Sequence, residues 1–409
     1  MLVWKKIWPS TSTVITKIFK AATDLGHHPK AWRRAAIVVL RKPGKPDYTT
    51  PNAYRPISLL NTLGKLLESV MARRLTYYAE RYNLLPDTQF GGLPGRTTEQ
   101  ALLILTEAIV KAWRKSKVVS LMAFDLKGAF NGVAKGVLDQ CLRRKGIPSE
   151  ARNWVQSFMT DRWACVKFDG YTSAATRIRF PGLPQGSPSS PVLFTFFNSA
   201  LVDQPVNSGG GASAFIDDYF RWRVGNSVDE NLKGLQEFDI PRIQHWAKAT
   251  GSTFEASKTE LIHFTRKRNQ QRPIPIQMND MEIHPTENVK LLGVVFDQHL
   301  KWRAHVQRAV KRATSASMAI GRLRQLRPAQ MRQLYQACVV PRMDYPSTVW
   351  HNPAKNKWQI TALNTVQRPA MIKILSAFRT VATQALEVET FLLPTHLRLA
   401  QRAKMVTYF

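Results

Sequence analysis

The sequence predicts a mixed fold of the α/β (α+β) class, in which helices and short strands alternate along 409 residues. Two observations support this class. Apolar residues recur at helical spacing over long segments such as 62–82, whereas short apolar runs bounded by turn residues, such as Val118–Phe124, are typical of strands. The hydrophobic content of 44% suffices for a sizeable core, and the length allows two or three lobes. The chain is therefore expected to be folded rather than a disordered basic tail.

The individual elements follow from local signals. Helices are expected before a turn at 26–29, over 62–82, up to Ala112, over most of 136–163, after Ser190, over about 228–249, and from about 301 to the end. Strands are expected at Ala35–Leu40, at Val118–Phe124, on both sides of Asp217 and at Leu261–Phe264. Loops rich in Pro and Gly are expected at Arg41–Asp47 and Phe180–Pro188, and a polar linker at about 266–287. Ser190 is the expected cap of the helix that follows the second loop, with Pro191 in its first turn.

The charge of the chain favours a polyanionic partner. Lysine and arginine number 59 against 28 acidic residues, which gives a formal net charge of +31. Nucleic acid is the simplest partner for such an excess. Ribosomal and chromatin proteins are also basic, but they are usually shorter and poorer in Trp and Phe, so the composition favours a larger nucleic-acid-binding protein.

Cysteine usage and apolar runs exclude other classes. The three cysteines, Cys141, Cys165 and Cys338, have no spacing typical of a zinc site or a disulfide framework. The longest apolar runs, such as Val192–Phe197, are too short to span a bilayer, so no membrane association is expected. The first 34 residues are basic and resemble a transit peptide, although a first helix of the fold is the preferred interpretation.

A pair of adjacent acids, Asp217 and Asp218, lies between short apolar flanks that are typical of a β-hairpin. Asp125 ends another predicted strand. If the two strands are neighbours, three carboxylates converge, and their mutual repulsion requires bound cations. A site of oxygen ligands that leaves coordination positions of the metal open suits two Mg²⁺ ions, or Mn²⁺, better than Zn²⁺. The pair alone leaves an ordinary solvated turn equally open.

Seven blocks of sequence, from about residue 40 to 310, occur in the order of one family. They are Tyr54–Glu68, Gln89–Thr98, Phe124–Phe130, Gly182–Pro191, Phe215–Tyr219, 247–260, and Val289–Asp297 followed by His305 and Val306. Through these blocks the chain resembles the reverse transcriptases of non-LTR (LINE-type) retrotransposons, of the fungal kind. The resemblance implies a right-hand polymerase fold with fingers, an antiparallel-sheet palm and a helical thumb.

The resemblance also implies a division of the chain and an activity. The expected parts are a basic helical extension (1–40), fingers (41–118), a palm with finger insertions (119–288), and a thumb with a basic helical C-terminal segment (289–409). The implied activity is RNA-directed DNA polymerase, in which a primer 3′-hydroxyl attacks the α-phosphate of a dNTP. RNA template, DNA primer and dNTPs would be the partners. The nucleus is the expected compartment, with the mitochondrion as the alternative.

Family roles carry over to individual residues. Asp125, Asp217 and Asp218 would be catalytic metal ligands, with the Leu126 carbonyl as a further oxygen and two Mg²⁺ ions (or Mn²⁺) as cofactors. Lys258 would protonate pyrophosphate as a general acid. The implied substrate-binding residues are Arg55, Lys65, Phe130, Gln185 and Gly186.

Several of these roles have alternatives. Arg55, Lys65 and Lys258 are also consistent with surface charges, and Lys258 with a contact to backbone phosphate. Phe130 lies where the family places a ring under the sugar, which would select deoxynucleotides, but it is also consistent with a core residue.

The chain departs from the family pattern at three positions and in its extent. Asn131, Ile216 and Leu93 replace more usual residues without removing a metal ligand. No endonuclease domain, zinc knuckle or RNase H domain is recognised, so a truncated copy is expected. A group II intron-type reverse transcriptase or maturase, and a catalytically silent nucleic-acid-binding remnant, stay open as alternatives.

Overall fold

The computed structural model describes residues 2–270, 273–323, 325–353 and 357–406. The strands are β1 (Arg34–Arg41), β2 (Tyr54–Leu60), β3 (Gln89–Phe90), β4 (Val118–Phe124), β5 (Trp163–Phe168), β6 (Tyr171–Thr172), β7 (Thr176–Arg177), β8 (Gly211–Phe215), β9 (Asp218–Gly225), β10 (Glu260–Phe264), β11 (Ile276–Met278), β12 (Met281–Ile283), β13 (Asn288–Leu291) and β14 (Val294–Asp297).

The helices are α1 (Leu2–Asp24), α2 (Thr62–Arg81), α3 (Thr98–Arg114), α4 (Lys135–Arg144), α5 (Ser149–Phe158), α6 (Ser190–Val202), α7 (Val228–Gly234), α8 (Ile240–Thr250), α9 (Arg303–Ile320), α10 (Pro328–Cys338), α11 (Val340–Asp344), α12 (Ser347–Trp350), α13 (Lys357–Leu375), α14 (Thr383–Thr390) and α15 (Thr395–Val406). A π-helical segment, Leu235–Asp239, joins α7 to α8. None of the helices in these described ranges combines the length and the apolar character that crossing a bilayer demands.

The central sheet positions the acidic residues. Its strand order is β10-β4-β9-β8-β3, with β4 antiparallel to both β9 and β10. Side chains of β4 alternate between two cores, since Met122 packs into one hydrophobic cluster and Leu121 into the other. Helices cover both faces, which explains why β4 is apolar along nearly its whole length.

A second, peripheral sheet is built from β2, β1, β5 and β6 in that order, with β7 also paired to β5. β1 runs antiparallel to β2 and parallel to β5. Its strand β1 extends across the boundary expected between the basic extension (1–40) and the fingers (41–118), and β5 belongs to the segment expected to be palm (119–288). Neither β2 nor β5 was expected from local signals. β2 pairs with the nearby β1, whereas β5 pairs with β1 across more than a hundred residues.

The mainly helical character expected of the segment 136–163 is confirmed. It contains two helices, α4 and α5, because Gly146 and Pro148 interrupt the helical pattern, and β5 begins at its last residue. Two expectations about local structure need correction. The linker at 266–287 contains the β11–β12 hairpin. Ser189, not Ser190, is the N-cap residue of α6 because the helix begins at Ser190, and the Ser189 side chain makes no capping hydrogen bond. The Ser190 hydroxyl donates to the Pro184 carbonyl (2.9 Å).

The C-terminal part begins with the β13–β14 hairpin, which packs against α9. From Arg303 onward it is helical, as expected. Trp302 and Trp350 are buried in its core. Arg398 of α15 is held by the buried Asp344 (Nε to Oδ2, 2.6 Å), which fixes the last helix to the rest of this part.

Candidate active site

The hairpin between β8 and β9 has a two-residue loop under backbone strain. Ile216 and Asp217 form this loop. Ile216 has a φ of 57°, a left-handed conformation that is rare for a β-branched residue. Two hydrogen bonds hold it there, since its N–H donates to the Phe90 carbonyl (3.1 Å) and its carbonyl accepts from Asn198 Nδ2 (2.7 Å). The surrounding structure therefore fixes the backbone that carries Asp217.

Asp125 lies at the end of β4, next to the start of β9. Phe124 and Tyr219 form the last pair of the antiparallel ladder. The next residue outward is Asp125 on one strand and Asp218 on the other. The Asp125 carbonyl also accepts a hydrogen bond from the Glu255 N–H (2.9 Å), which fixes its main chain. The condition on which the sequence argument depends, that the strands bearing these acids are neighbours, is therefore met.

Asp217 and Asp218 lie in surroundings that oppose their ionisation. Both side chains reach solvent, but the protein around them restricts their hydration, and this is the largest cause that raises the pKa of each. Repulsion adds to it, because Asp125 raises the pKa of Asp217, and Asp217 and Asp125 both raise the pKa of Asp218. Burial first, and then this repulsion, bring the pKa of Asp218 to about 6. Arg55 lowers the pKa of Asp217, and Lys290 lowers that of Asp218. The three acids are thus close enough to repel one another.

Lys258 is the cationic partner of Asp125. Its Nζ lies 2.9 Å from Asp125 Oδ2 and also contacts the Glu255 carboxylate. These hydrogen bonds, the one to Glu255 first, raise the pKa of Lys258. A raised pKa makes a lysine a weaker acid, so proton donation would require these contacts to loosen when substrate binds. The role of Lys258 as a general acid stays a prediction.

The donor chemistry of the three aspartates fits a hard divalent cation. Among the residues that the structure describes, no three acidic, histidine or cysteine side chains are grouped as a ready-made ligand set. Asp125 and Asp218 nevertheless line one cavity of about 180 Å³, together with Lys258 and Lys290. Carboxylate oxygens facing one cavity, with a raised pKa on Asp218, are donors whose repulsion a Mg²⁺ or Mn²⁺ ion would relieve.

The loop 182–189 lies between the peripheral sheet and α6. The Gln185 carbonyl accepts a hydrogen bond from the Ser58 N–H of β2 (2.7 Å). Gly186 has a φ of 111°, and a Cβ there would lie 2.8 Å from the Ser58 carbonyl oxygen. Gly182 is equally constrained, since a Cβ there would lie 2.5 Å from the Asn131 carbonyl oxygen. These close approaches explain why glycine occupies both positions.

The other predicted substrate residues differ in their placement. Arg55 is exposed on β2, and its charge acts on Asp217, so the structure brings Arg55 to the acids. Lys65 is half-buried on α2, where its charge acts on Glu68. The half-buried Phe130 ring packs against Phe194 at a centroid distance of 5.1 Å, which places part of it in the core.

Four residues of the site were not expected from the sequence. Lys290 faces Asp218, Glu255 binds Lys258, and Asn198 holds the hairpin loop. The fourth, Glu68, is buried beneath the loop 182–189. Among these four, only Lys290 could have been noticed in the sequence, because it is the single charged residue between apolar residues in the block Val289–Asp297.

Asp218→Asn is expected to stabilise the chain at neutral pH in the absence of divalent cations. The pKa of Asp218 is about 6 in the fold, against an ordinary value of 3.8, so folding disfavours its ionised form. The contribution of Asp218 to stability is fully present below the lower value and is lost as the pH rises through the higher one. In EDTA the variant should melt about 1–2 °C above wild type at pH 7.5, with little difference at pH 4.

Asp280→Asn is the matched control. Asp280 is the second residue of another two-residue hairpin loop, between β11 and β12, and is exposed. The Tm of the Asp280→Asn variant should equal that of wild type at both pH values. A Tm difference for Asp218→Asn that is the same at pH 4 and pH 7.5 would contradict the electrostatic explanation. Adding Mg²⁺ should stabilise wild type more than Asp218→Asn.

Comparison with known proteins identifies the family. A family model described as reverse transcriptase (RNA-dependent DNA polymerase) matches residues 40–296. The chain is 28% identical over 364 residues to the probable RNA-directed DNA polymerase from transposon BS of Drosophila melanogaster, covering 87% of this chain and 39% of that protein. It is 29% identical over 366 residues to the RNA-directed DNA polymerase from mobile element jockey of the same organism, covering 86% and 39%.

A third relative is the retrovirus-related Pol polyprotein from type-1 retrotransposable element R1 of Bradysia coprophila. It is 26% identical over 408 residues, which cover 97% of this chain and 39% of that protein. The chain thus spans about two fifths of the length of these curated relatives.

The solved structure of apo telomerase from Candida tropicalis is similar in fold. Its TM-score is 0.52 at 11% sequence identity, with 97% of this chain and 67% of that chain covered. This similarity concerns the fold alone, and it confirms the right-hand polymerase fold predicted from the sequence. Since the family model matches more than half of its residues, the chain belongs to the reverse transcriptase (RNA-dependent DNA polymerase) family.

Proposed function

We propose that this chain is the polymerase core of a non-LTR (LINE-type) retrotransposon protein and copies an RNA template into DNA from a DNA primer. The observation that carries the proposal is the strained hairpin that presents Asp217 and Asp218 beside Asp125. A surface turn would let such acids separate into solvent, whereas these repel one another in a fixed place. Membership of the reverse transcriptase family supports the same function.

The aspartates would hold the cofactor. Asp125, Asp217 and Asp218, with the Leu126 carbonyl, would bind two Mg²⁺ ions, and Mn²⁺ is an alternative. When bound, such ions activate a hydroxyl nucleophile and stabilise the charge on a leaving pyrophosphate. Lys290, which faces Asp218, would add positive charge on the side of the primer.

The chain's own residues would bind and orient the other reactants. Arg55 faces the acids from the peripheral sheet, where its guanidinium would attract the triphosphate of a dNTP. Gln185 and Gly186 would meet the nucleotide through the backbone of their loop. Lys65 would contribute a further cation. Lys258 would give its proton to pyrophosphate once it leaves Asp125 and Glu255.

Primer extension tests the proposal. Purified protein is incubated with an RNA template, an annealed DNA primer, dNTPs and Mg²⁺, and the products are resolved by length. Extension that requires the divalent ion is the expected result. Absence of extension over a range of salt concentrations, with Mn²⁺ as well as Mg²⁺, would exclude the polymerase function for this chain and favour a silent nucleic-acid-binding remnant.

Phe130→Ala is expected to weaken the discrimination against ribonucleotides by at least about tenfold. Removing the ring would leave room for a 2′-hydroxyl at the sugar. Phe130→Tyr keeps the ring and should keep the selectivity of wild type. The ratio of kcat/KM for dNTP and NTP measures the effect. Unchanged selectivity in Phe130→Ala would assign the ring to the core, where it already packs against Phe194.

We further propose that the protein acts in the nucleus, with the mitochondrion as the alternative, and that it is of the fungal kind. The nuclear assignment rests on the chromosomal DNA at which such elements insert. The excess of basic residues supports a nucleic-acid partner in either compartment.

A further inference from the structure

A buried carboxylate, Glu68 of α2, contacts the loop 182–189 from inside the protein. Glu68 is 1% exposed, and its carboxylate accepts a hydrogen bond from the Ser187 hydroxyl. Ser187 Oγ lies 2.9 Å from Ser189 Oγ and accepts from the Ser189 N–H (3.2 Å). These three residues therefore form a continuous hydrogen-bonded connection from α2 to the start of α6.

The loop has a second attachment, to β2. It consists of the hydrogen bond from the Ser58 N–H to the Gln185 carbonyl and of the close approach of Gly186 to Ser58. The backbone of Gln185 and Gly186 is thus held on one side by a strand and on the other, through Ser187, by Glu68. Loss of either attachment would let this backbone move relative to the aspartates.

Burying an ionisable side chain at this position lowers the stability of the fold. Burial raises the pKa of Glu68, the Ser187 hydrogen bond and the charges of Arg162 and Lys65 lower it, and the result of these opposing causes is a pKa of about 7. Arg162 is itself 2% exposed and donates to the Phe158 carbonyl (3.0 Å). An apolar residue would pack α2 without the cost of burying a carboxylate, so packing alone does not explain Glu68.

We propose that Glu68 is a positioning residue for the incoming nucleotide, because it holds Ser187 and thereby the backbone of Gln185 and Gly186 in place. The inference rests on the proposed function, since that backbone meets a dNTP only if the chain is a polymerase. Lys65 lies one helical turn before Glu68, so α2 positions both the loop and a cation. Glu68 itself does not touch the reacting atoms.

Glu68→Ala and Ser187→Ala test the connection from its two ends. Each should raise the KM for dNTP by about tenfold and leave kcat within about threefold, because a hydrogen bond to a charged group is lost and the metal-binding acids are untouched. The double variant should show little further rise, because both changes break one contact. Glu68→Gln keeps an acceptor for Ser187 and should recover most of the affinity.

Glu80→Gln is the control for the helix, since Glu80 is an exposed residue near the end of α2. It should leave KM, kcat and Tm unchanged. Hydrogen exchange gives a readout that needs no activity: in Glu68→Ala the amides of Ser58 and Ser189 should exchange faster than in wild type, and in Glu80→Gln they should not.

The possible outcomes separate the inference from the function. A wild-type chain that does not extend primers would count against the proposed function. An active Glu68→Ala variant whose KM for dNTP is unchanged, or whose losses are confined to Tm and kcat, would overturn the positioning role alone. Unchanged exchange at Ser58 and Ser189 in Glu68→Ala would overturn it whether or not the chain extends primers.

Discussion

Asp217→Asn is expected to reduce primer extension by about 1,000-fold or more while leaving the affinity for template–primer nearly unchanged. Asparagine has the shape of aspartate, and the side chain lies in an exposed turn, so the hairpin should keep its structure. What is lost is the negative charge that would hold the proposed metal ions. Extension rates under single-turnover conditions and binding of a labelled template–primer measure the two quantities separately.

Asp280→Asn provides the control for this prediction as well. Asp280 follows Asn279, which has a φ of 53°, just as Asp217 follows Ile216 with its φ of 57°. The two loops thus share their length and the left-handed first residue. Extension at the wild-type rate is expected for Asp280→Asn. If Asp217→Asn still extends primers within tenfold of wild type, the assignment of the metal-binding acids is wrong.

The aspartate hairpin could be predicted from the sequence because its signal is local. Two acids between short apolar flanks predict a hairpin tip, and an apolar run that ends in Asp125 predicts a strand end. Their adjacency was only a condition of the prediction, since strand pairing depends on contacts distant in sequence. The register of β4 with β9 supplies that adjacency.

The peripheral sheet and the attachment of the loop 182–189 could not be predicted in the same way. β1 pairs with β5 across more than a hundred residues, and nothing in the composition of either strand indicates the partner. Glu68 stands on a helix at a position consistent with an ordinary surface charge. Its burial, and its contact with Ser187, follow only from the packing of α2 against the loop.

A buried ion network supports β9 behind the acids. Asp239, at the end of the π-helical segment, accepts a hydrogen bond from Arg221 Nε (2.7 Å) and also pairs with Arg223. The side chains of Arg221 and Asp239 are both fully buried. Arg221 also donates to the Tyr219 hydroxyl (3.3 Å). Because Tyr219 directly follows Asp218, the network fixes the strand that carries this acid.

Asp239→Asn is expected to lower the free energy of unfolding by about 3–5 kcal/mol. The change leaves the Arg221 guanidinium charged and buried without its anionic partner, and desolvation of that charge is then uncompensated. Urea unfolding followed by far-UV circular dichroism measures the loss, provided that the slope against denaturant stays the same as in wild type.

Glu237→Gln is the control for position and charge. Glu237 belongs to the same π-helical segment, but its carboxylate is exposed, and its ion pair with Lys233 is long, at 3.9 Å. Its substitution should therefore change the free energy of unfolding by less than about 1 kcal/mol. A similarly small loss in Asp239→Asn would mean that the hydrogen bonds of Arg221 to Tyr219 and to the Pro205 carbonyl (2.6 Å) compensate its charge. The strand that carries Asp218 would then not depend on the ion pair.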